Sequence, residues 1–123
     1  MLTMVIVDDH PAFRAEARAL LEREGFVVVG EAWDGRTAVD MIRSVDPDVV
    51  LLDIGLPDID GFEVATQVAS EEGDARPHIV LVSSRDIDSY RSRVFPSSVA
   101  GCLPKEDVSG DAIRALIRTP DGR

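Results

Sequence analysis

The residues able to do chemistry stand at the ends of short apolar runs. Asp8 and Asp9 follow Met4 to Val7, Asp53 follows Val49 to Leu52, Ser83 and Ser84 follow Ile79 to Val82, and Lys105 lies just past Val99 to Leu103. Three ionised carboxylates within a few Å repel one another, each pair by roughly 1 to 4 kcal/mol at 4 Å for dielectrics between water and a protein surface. A cation relieves that repulsion. Oxygen ligands from so few side chains suit Mg²⁺, which keeps several waters and shares its shell with a phosphate. A Ser83 hydroxyl can donate to a phosphoryl oxygen, and the Lys105 ammonium can neutralise it as a point charge. Singly, each residue has an ordinary explanation, because Asp at a strand end often caps a helix or opens a turn. Their joint placement after apolar runs favours an anion-plus-metal site.

The elements that must position these groups follow from periodicity. Five runs rich in β-branched residues, Met4 to Val7, Val27 to Val29, Val49 to Leu52, Ile79 to Val82 and Val99 to Leu103, predict strands. Between them apolar residues recur every three to four positions. Pro11 suits a first helical turn, Phe13, Ala17, Leu20 and Leu21 share a face, and Gly25 is the stop. Asp34 caps a second helix with Ala38, Val39 and Ile42 inward, ending before Pro47. A third begins near Asp60 and turns Phe62, Ala65, Val68 and Ala69 inward. The last begins near Asp107 and buries Ala112 and Leu116, with Ile113 and Ile117 as further candidates. The stretch between Arg85 and Pro96 has the poorest pattern, with Ile87, Tyr90, Val94 and Phe95 as its apolar residues, and predicts a short fourth helix.

Strands alternating with helices imply right-handed crossovers and a parallel sheet covered on both faces. Ligands of such sheets sit outside the carboxyl ends of the strands, where strand order reverses. If the order is 2-1-3-4-5, the first and third strands are neighbours and the three carboxylates meet at that edge.

A chain of 123 residues with 45% hydrophobic content is the size of one domain. The expected organisation is one domain over residues 1–118, with 119–123 as a flexible tail or the start of a linker. The single cysteine, Cys102, excludes an internal disulfide, the N-terminal residues MLTMVIVDDH do not show the basic flank, long apolar stretch and cleavage site expected of a secretory leader, and no apolar run approaches about 20 residues. A cytoplasmic protein without membrane contact is expected. With 13 basic against 23 acidic residues and a net charge of -10, the domain would be repelled by phosphate backbones, so no direct nucleic acid partner is expected.

Taken together, Val7-Asp8-Asp9-His10-Pro11, the segment from Leu52 through Asp53, Gly55 and Pro57 to Gly61, Val82-Ser83-Ser84 and Gly101-Cys102-Leu103-Pro104-Lys105 resemble the receiver domains of two-component response regulators. The resemblance spans essentially the whole chain. It implies a three-layer, doubly wound, flavodoxin-like or CheY-like fold with a five-stranded parallel sheet in the order 2-1-3-4-5. It implies that Asp53 attacks a phosphohistidine on a sensor histidine kinase or phosphotransfer protein. Asp9, Asp53 and the Gly55 carbonyl would ligate Mg²⁺, with Asp8 acting directly or through water. Lys105 would pair with the phosphoryl group, Ser83 would swing toward it, and Ser84 stands where receivers keep a small residue. The family often dimerises through the fourth helix, fifth strand and fifth helix.

Three positions depart from the family pattern. Cys102 replaces the usual Phe or Tyr three residues before the lysine, so the aromatic relay is expected to be truncated, with Tyr90 as the alternative. Pro104 precedes Lys105 and Glu106 follows it, which removes the usual cis proline bond after the lysine; Pro104 restricts Leu103 to extended conformations. The Leu-Pro-Lys form resembles receivers that usually carry a helix-turn-helix output domain. Gly55 and Arg85 hold the two positions that tune phosphoryl lifetime, and their types predict slow self-hydrolysis.

Other readings compete with a signalling switch. An Mg²⁺-dependent aspartyl-phosphate phosphatase also uses a strand-end Asp, but wants a second acid two residues later, where Gly55 stands. The chain could also be the receiver fragment of a DNA-binding transcription factor, or a scaffold independent of phosphorylation.

Overall fold

The computed structural model describes residues 1–68, 77–84 and 99–117. Five parallel strands, β1 (Thr3–Val7), β2 (Val27–Ala32), β3 (Val49–Asp53), β4 (His78–Ser83) and β5 (Val99–Pro104), pair in the order β2-β1-β3-β4-β5. The helices among the described residues are α1 (Pro11–Arg23), α2 (Gly35–Val45), α3 (Gly61–Val68) and α4 (Gly110–Ile117). The helix expected between Arg85 and Pro96, with Tyr90, and also Ala69 and the tail 119–123, lie outside the described residues.

Side chains alternate across a strand, and here both faces are covered, which is why the central runs are wholly apolar. Met4, Ile6, Val49, Leu51, Val80 and Val82 pack with Ala17 and Leu21 of α1 and Ile113 of α4. Val5, Val7, Val50, Leu52, Ile79 and Leu81 pack with Ala38, Val39 and Ile42 of α2 and Phe62, Val64 and Ala65 of α3. The result is three layers. β2, at the edge, instead shows an alternation of exposed Val27 and Val29 with buried Val28, and it runs on through Gly30 and Glu31 beyond its apolar stretch.

Local chemistry sets the helix ends. Pro11 opens α1, and Gly25, at φ 100°, turns the chain after it. Asp34 Oδ1 accepts from the Thr37 N–H at 2.8 Å to cap α2, and Asp60 Oδ1 accepts from the Glu63 N–H at 2.9 Å to cap α3. The expected start of the last helix near Asp107 is corrected: Lys105–Asp107 form a 3₁₀ turn, and Ser109 Oγ caps α4 by accepting from the Ala112 N–H at 3.0 Å. Ile113 is its fully buried residue, with Ala112 and Leu116 only half-buried.

Register carries the chemistry to one edge. Val7 pairs with Leu52, Asp53 with Val82, and Ser83 with Pro104, so Asp8, Asp53, Ser83 and Lys105 leave the sheet together. The first turn of α3 is drawn against that edge, since a Cβ on Gly61 would lie 2.6 Å from the Asp53 carbonyl oxygen. Asp58, in the loop between β3 and α3, ties the same segment to α2: its carboxylate accepts from the Gly35 N–H at 2.7 Å and the Arg36 N–H at 3.0 Å. The amide donors at that helix N-terminus favour negative charge and hold the Asp58 carboxyl down at about 2.

Two outcomes follow for stability. Ile113→Ala should cost about 2–5 kcal/mol in urea unfolding, as for other fully buried aliphatic residues, and a loss under 1 kcal/mol would contradict the packing of α4. Asp58 is depressed from 3.8 in the folded state, so its contribution is complete above that value and disappears as pH falls through about 2. Asp58→Ala should therefore melt below wild type at neutral pH, with the two curves converging in acid. Equal Tm values at neutral pH would show the loop to be held by other contacts.

Candidate functional site

At the carboxyl edge of the sheet, Asp8 is fully buried and Asp53 nearly so, at 0% and 4% exposure. Asp8 Oδ1 accepts from the His10 backbone N–H at 2.8 Å and lies 2.9 Å from His10 Nδ1. The Lys105 ammonium lies 2.6 Å from Asp8 Oδ2 and 3.7 Å from Asp53 Oδ2, and its cationic head stands over the Phe13 ring at 4.8 Å. Asp53 Oδ1 accepts from the Gly55 N–H at 3.2 Å. Pro104, at φ -61° and ψ 147°, closes β5 in extended form and delivers Lys105 into the 3₁₀ turn without a proline after it.

The electrostatics of this cluster are unbalanced. Burial raises the Asp53 carboxyl, and the neighbouring Asp8 charge raises it further; the Gly55 N–H and the Lys105 ammonium oppose them without cancelling. Among the described residues, Asp8 Oδ2 and Asp9 Oδ1 are buried oxygens without a hydrogen-bond partner, although the first faces Lys105 as an ion pair. Potential ligand atoms of Asp8, Asp9, His10 and Asp53 all lie within 4.8 Å of one another. Buried carboxylate oxygens with unused lone pairs, converging in this way, fit a hard divalent cation.

Beside the cluster opens a cleft of about 500 Å³ lined by Asp9, His10, Asp53, Gly55, Leu56, Ser83 and Ser84. The structure thus brings together Asp8, Asp9, Asp53, Gly55, Ser83, Ser84 and Lys105 at one end of the sheet. Ser83 is buried and Ser84 exposed. Cys102 is not in the cleft: it is half-buried against the α2/α3 side of the core, and burial pushes its thiol up, away from the reactive thiolate. Arg85 lies outside the described residues.

Three contributors enter only with the structure. His10 Nδ1 lies 3.2 Å from both Asp9 Oδ1 and Lys105 Nζ, and its place next to the acidic pair was the available signal. Arg14 donates from Nη1 to the Asp8 carbonyl at 2.7 Å, and Asp58 clamps the loop that carries Gly55. Nothing in the local pattern marks the last two, because their partners are set by the packing of α1 and α2.

A five-stranded parallel sheet in this order, with an acidic cluster and a lysine at its carboxyl edge, defines a doubly wound protein of the CheY-like class. The chain matches the family described as the response regulator receiver domain over residues 4–118, and it belongs to that family. It is 36% identical over 107 residues to a putative transcriptional regulator of Pseudomonas aeruginosa, covering 87% of this chain and 51% of that protein. Its fold superposes on the signal receiver domain of the putative response regulator NarL from Mycobacterium tuberculosis with a TM-score of 0.78, at 36% identity, covering 94% of this chain and 93% of that one. The response regulator TrrA from Thermotoga maritima, solved in complex with Mg²⁺ and BeF, gives a TM-score of 0.79 at 27% identity, covering 95% of this chain and 100% of that one. The chain spans about half the length of the curated relatives it matches, between 49% and 55% for the first of them. Those relatives are described as transcriptional regulators or transcriptional regulatory proteins. Among the described residues, no helix is long and apolar enough to cross a membrane.

Since the ionised form of Asp53 is penalised by burial and by Asp8, Asp53→Asn should stabilise the fold in a chelating buffer by a gain on the order of 1 kcal/mol. Thermal unfolding at neutral pH reads this directly. A variant less stable than wild type would mean that the Lys105 attraction outweighs the repulsion.

Proposed function

We propose that Asp53 is the phosphoacceptor of a signalling switch. The observation that carries the reading is a buried, charge-strained Asp53 carboxylate set between a lysine and the converging carboxylates of Asp8 and Asp9 at the mouth of an open cleft. An Asp53 oxygen attacks the phosphorus of a phosphohistidine on a sensor histidine kinase or phosphotransfer protein. The P–N bond breaks, its electron pair stays on the imidazole, and an acyl phosphate forms on Asp53.

Asp9, Asp53 and the Gly55 carbonyl would hold Mg²⁺, with Asp8 adding a direct or water-mediated contact. When bound, the ion offsets the charge of the carboxylates and of the transferring group. Lys105, already 3.7 Å from Asp53, neutralises a phosphoryl oxygen, and Ser83 at the cleft wall donates to another. Ser84 leaves the cleft mouth open for the phosphodonor. The product adds about -1.5 to -2 charges and three acceptor oxygens, enough to bias the loop after β4 between two arrangements.

The same reading treats residues 1–118 as the receiver and 119–123 as a tail or linker start, with the output exerted through another domain or partner. Relatives described as transcriptional regulators support DNA-directed output, while the net charge of -10 argues against nucleic acid contact by this domain. Homodimerisation would use the helix expected before β5, β5 and α4. The protein acts as a stoichiometric switch and not as a turnover phosphatase, because the position two residues after Asp53 is Gly55, which has no acid to offer. With Gly55 and Arg85 at the lifetime-tuning positions, and Cys102 in place of the relay aromatic, decay is slow and the signal travels through backbone and helix shifts.

Incubation with Mg²⁺ and acetyl phosphate should add the mass of one phosphoryl group to wild type and none to Asp53→Ala. Lys105→Ala should slow the reaction by about 10²–10³-fold, the loss typical of one preorganised charge-stabilising donor. Labelling of Asp53→Ala at the wild-type site count would overturn the assignment. A phosphoprotein that decays within seconds would overturn slow hydrolysis alone.

A further inference from the structure

Arg14 sits one turn into α1 with its side chain only 18% exposed, and its guanidinium works in two directions. Nη1 donates to the backbone carbonyl of Asp8 at 2.7 Å, while Nε donates to Glu31 Oε1 on β2 at 3.2 Å. Arg18, one turn further along α1, shares the same carboxylate: its Nη1 donates to Glu31 Oε2 at 2.8 Å and its Nε to Glu22 Oε2 at 3.3 Å. Two arginines of equal charge thus meet Glu31, but only Arg14 reaches the acidic turn.

We propose that Arg14 is a positioning residue for divalent cation binding, acting through the main chain that joins Asp8 to Asp9. The proposal rests on the reading of the acidic cluster as the Mg²⁺ site. Asp8 is anchored at its N–H by the Ala32 carbonyl at 3.0 Å and at its side chain by the His10 N–H at 2.8 Å. The Lys105 ammonium, 2.6 Å from Asp8 Oδ2, also holds the side chain, whereas Arg14 supplies an anchor on the carbonyl that leads into Asp9. That anchor is needed because the cluster repels itself. Asp9 is the more exposed member of the pair, and without the clamp its turn can relax outward into water. Mg²⁺ demands near-ideal octahedral geometry, so a displaced carboxylate is felt as lost affinity.

Charge alone predicts the opposite sign. Removing a cation beside a dication site tightens binding by Coulomb attraction, whereas removing a positioning clamp weakens it. Arg18 has the same charge and the same Glu31 partner without the contact to Asp8, and so separates the two effects.

The test is Mg²⁺ titration followed by amide shifts in wild type, Arg14→Gln, Arg14→Lys and Arg18→Gln, with thermal unfolding of each in chelator. Arg14→Gln should raise the Mg²⁺ Kd about tenfold or more, as loss of outer-shell partners does at other metal sites. Arg14→Lys should also weaken binding, because one ammonium lacks the planar fork that reaches Glu31 and the Asp8 carbonyl at once. Arg18→Gln should stay within about twofold of wild type, because the half-buried Arg18 reaches Glu31 and Glu22 without touching the Asp8 carbonyl. Arg14→Gln binding as tightly as wild type, or weakened no more than Arg18→Gln, overturns the proposal; if Arg14→Gln does not fold, Arg14→Lys is judged by the same criterion. A wild type that shows no Mg²⁺-dependent shifts overturns the metal site itself, an outcome distinct from a wild type that binds and an Arg14 variant that binds equally well.

Discussion

Carboxylates crowded at a sheet edge where water cannot screen them set the terms for the rest of this molecule. Asp8 has no exposed surface and Asp53 almost none, yet both carry or border ionisable charge. A buried charge without compensation costs several kcal/mol, so its neighbours are constrained to supply opposite charge or donors. Lys105 does so from beyond β5, the Gly55 N–H from the next loop, and the His10 N–H from the start of α1. One oxygen each of Asp8 and Asp9, the first facing Lys105 and the second beside His10, accepts no hydrogen bond and converges with Asp53, and this is the capacity to bind a cation.

The sheet makes this concentration of charge possible. In a parallel ladder every strand delivers its last residue to the same edge, and the registers of β1, β3, β4 and β5 bring their termini level there. The two apolar layers beneath hold the edge rigid enough to keep like charges together against their repulsion. The connecting segments add their own restraints. Gly61 allows α3 to approach the Asp53 carbonyl, Asp58 fastens the intervening loop to α2, and Arg14 draws the acidic turn toward β2.

The departures from the receiver pattern fall on the far side of this cluster. Pro104 ends β5 in extended geometry, and the 3₁₀ turn that follows still aims Lys105 at Asp8 and Asp53, so the lysine is delivered without a proline behind it. Cys102 packs into the core with a thiol whose burial disfavours ionisation, a small apolar filler where the family carries an aromatic. These differences concern how a phosphoryl signal would leave the site.

Much of the fold was written in the chain because it depends on short-range properties. Wholly apolar runs mark strands buried on both faces, Asp34 and Asp60 mark helix starts, and the charged residues that end those runs mark the functional edge. The last helix starts later than its sequence suggests for a local reason too: Asp107 and Ser109 are both good caps, and the turn needed to seat Lys105 uses up the first. Only the tertiary structure decided which backbone groups Arg14 and Asp58 would hold, and that His10 would face both an acid and Lys105. Those partners are separated by up to 95 positions along the chain and are selected by how helices settle on the sheet, a packing outcome that no local pattern encodes.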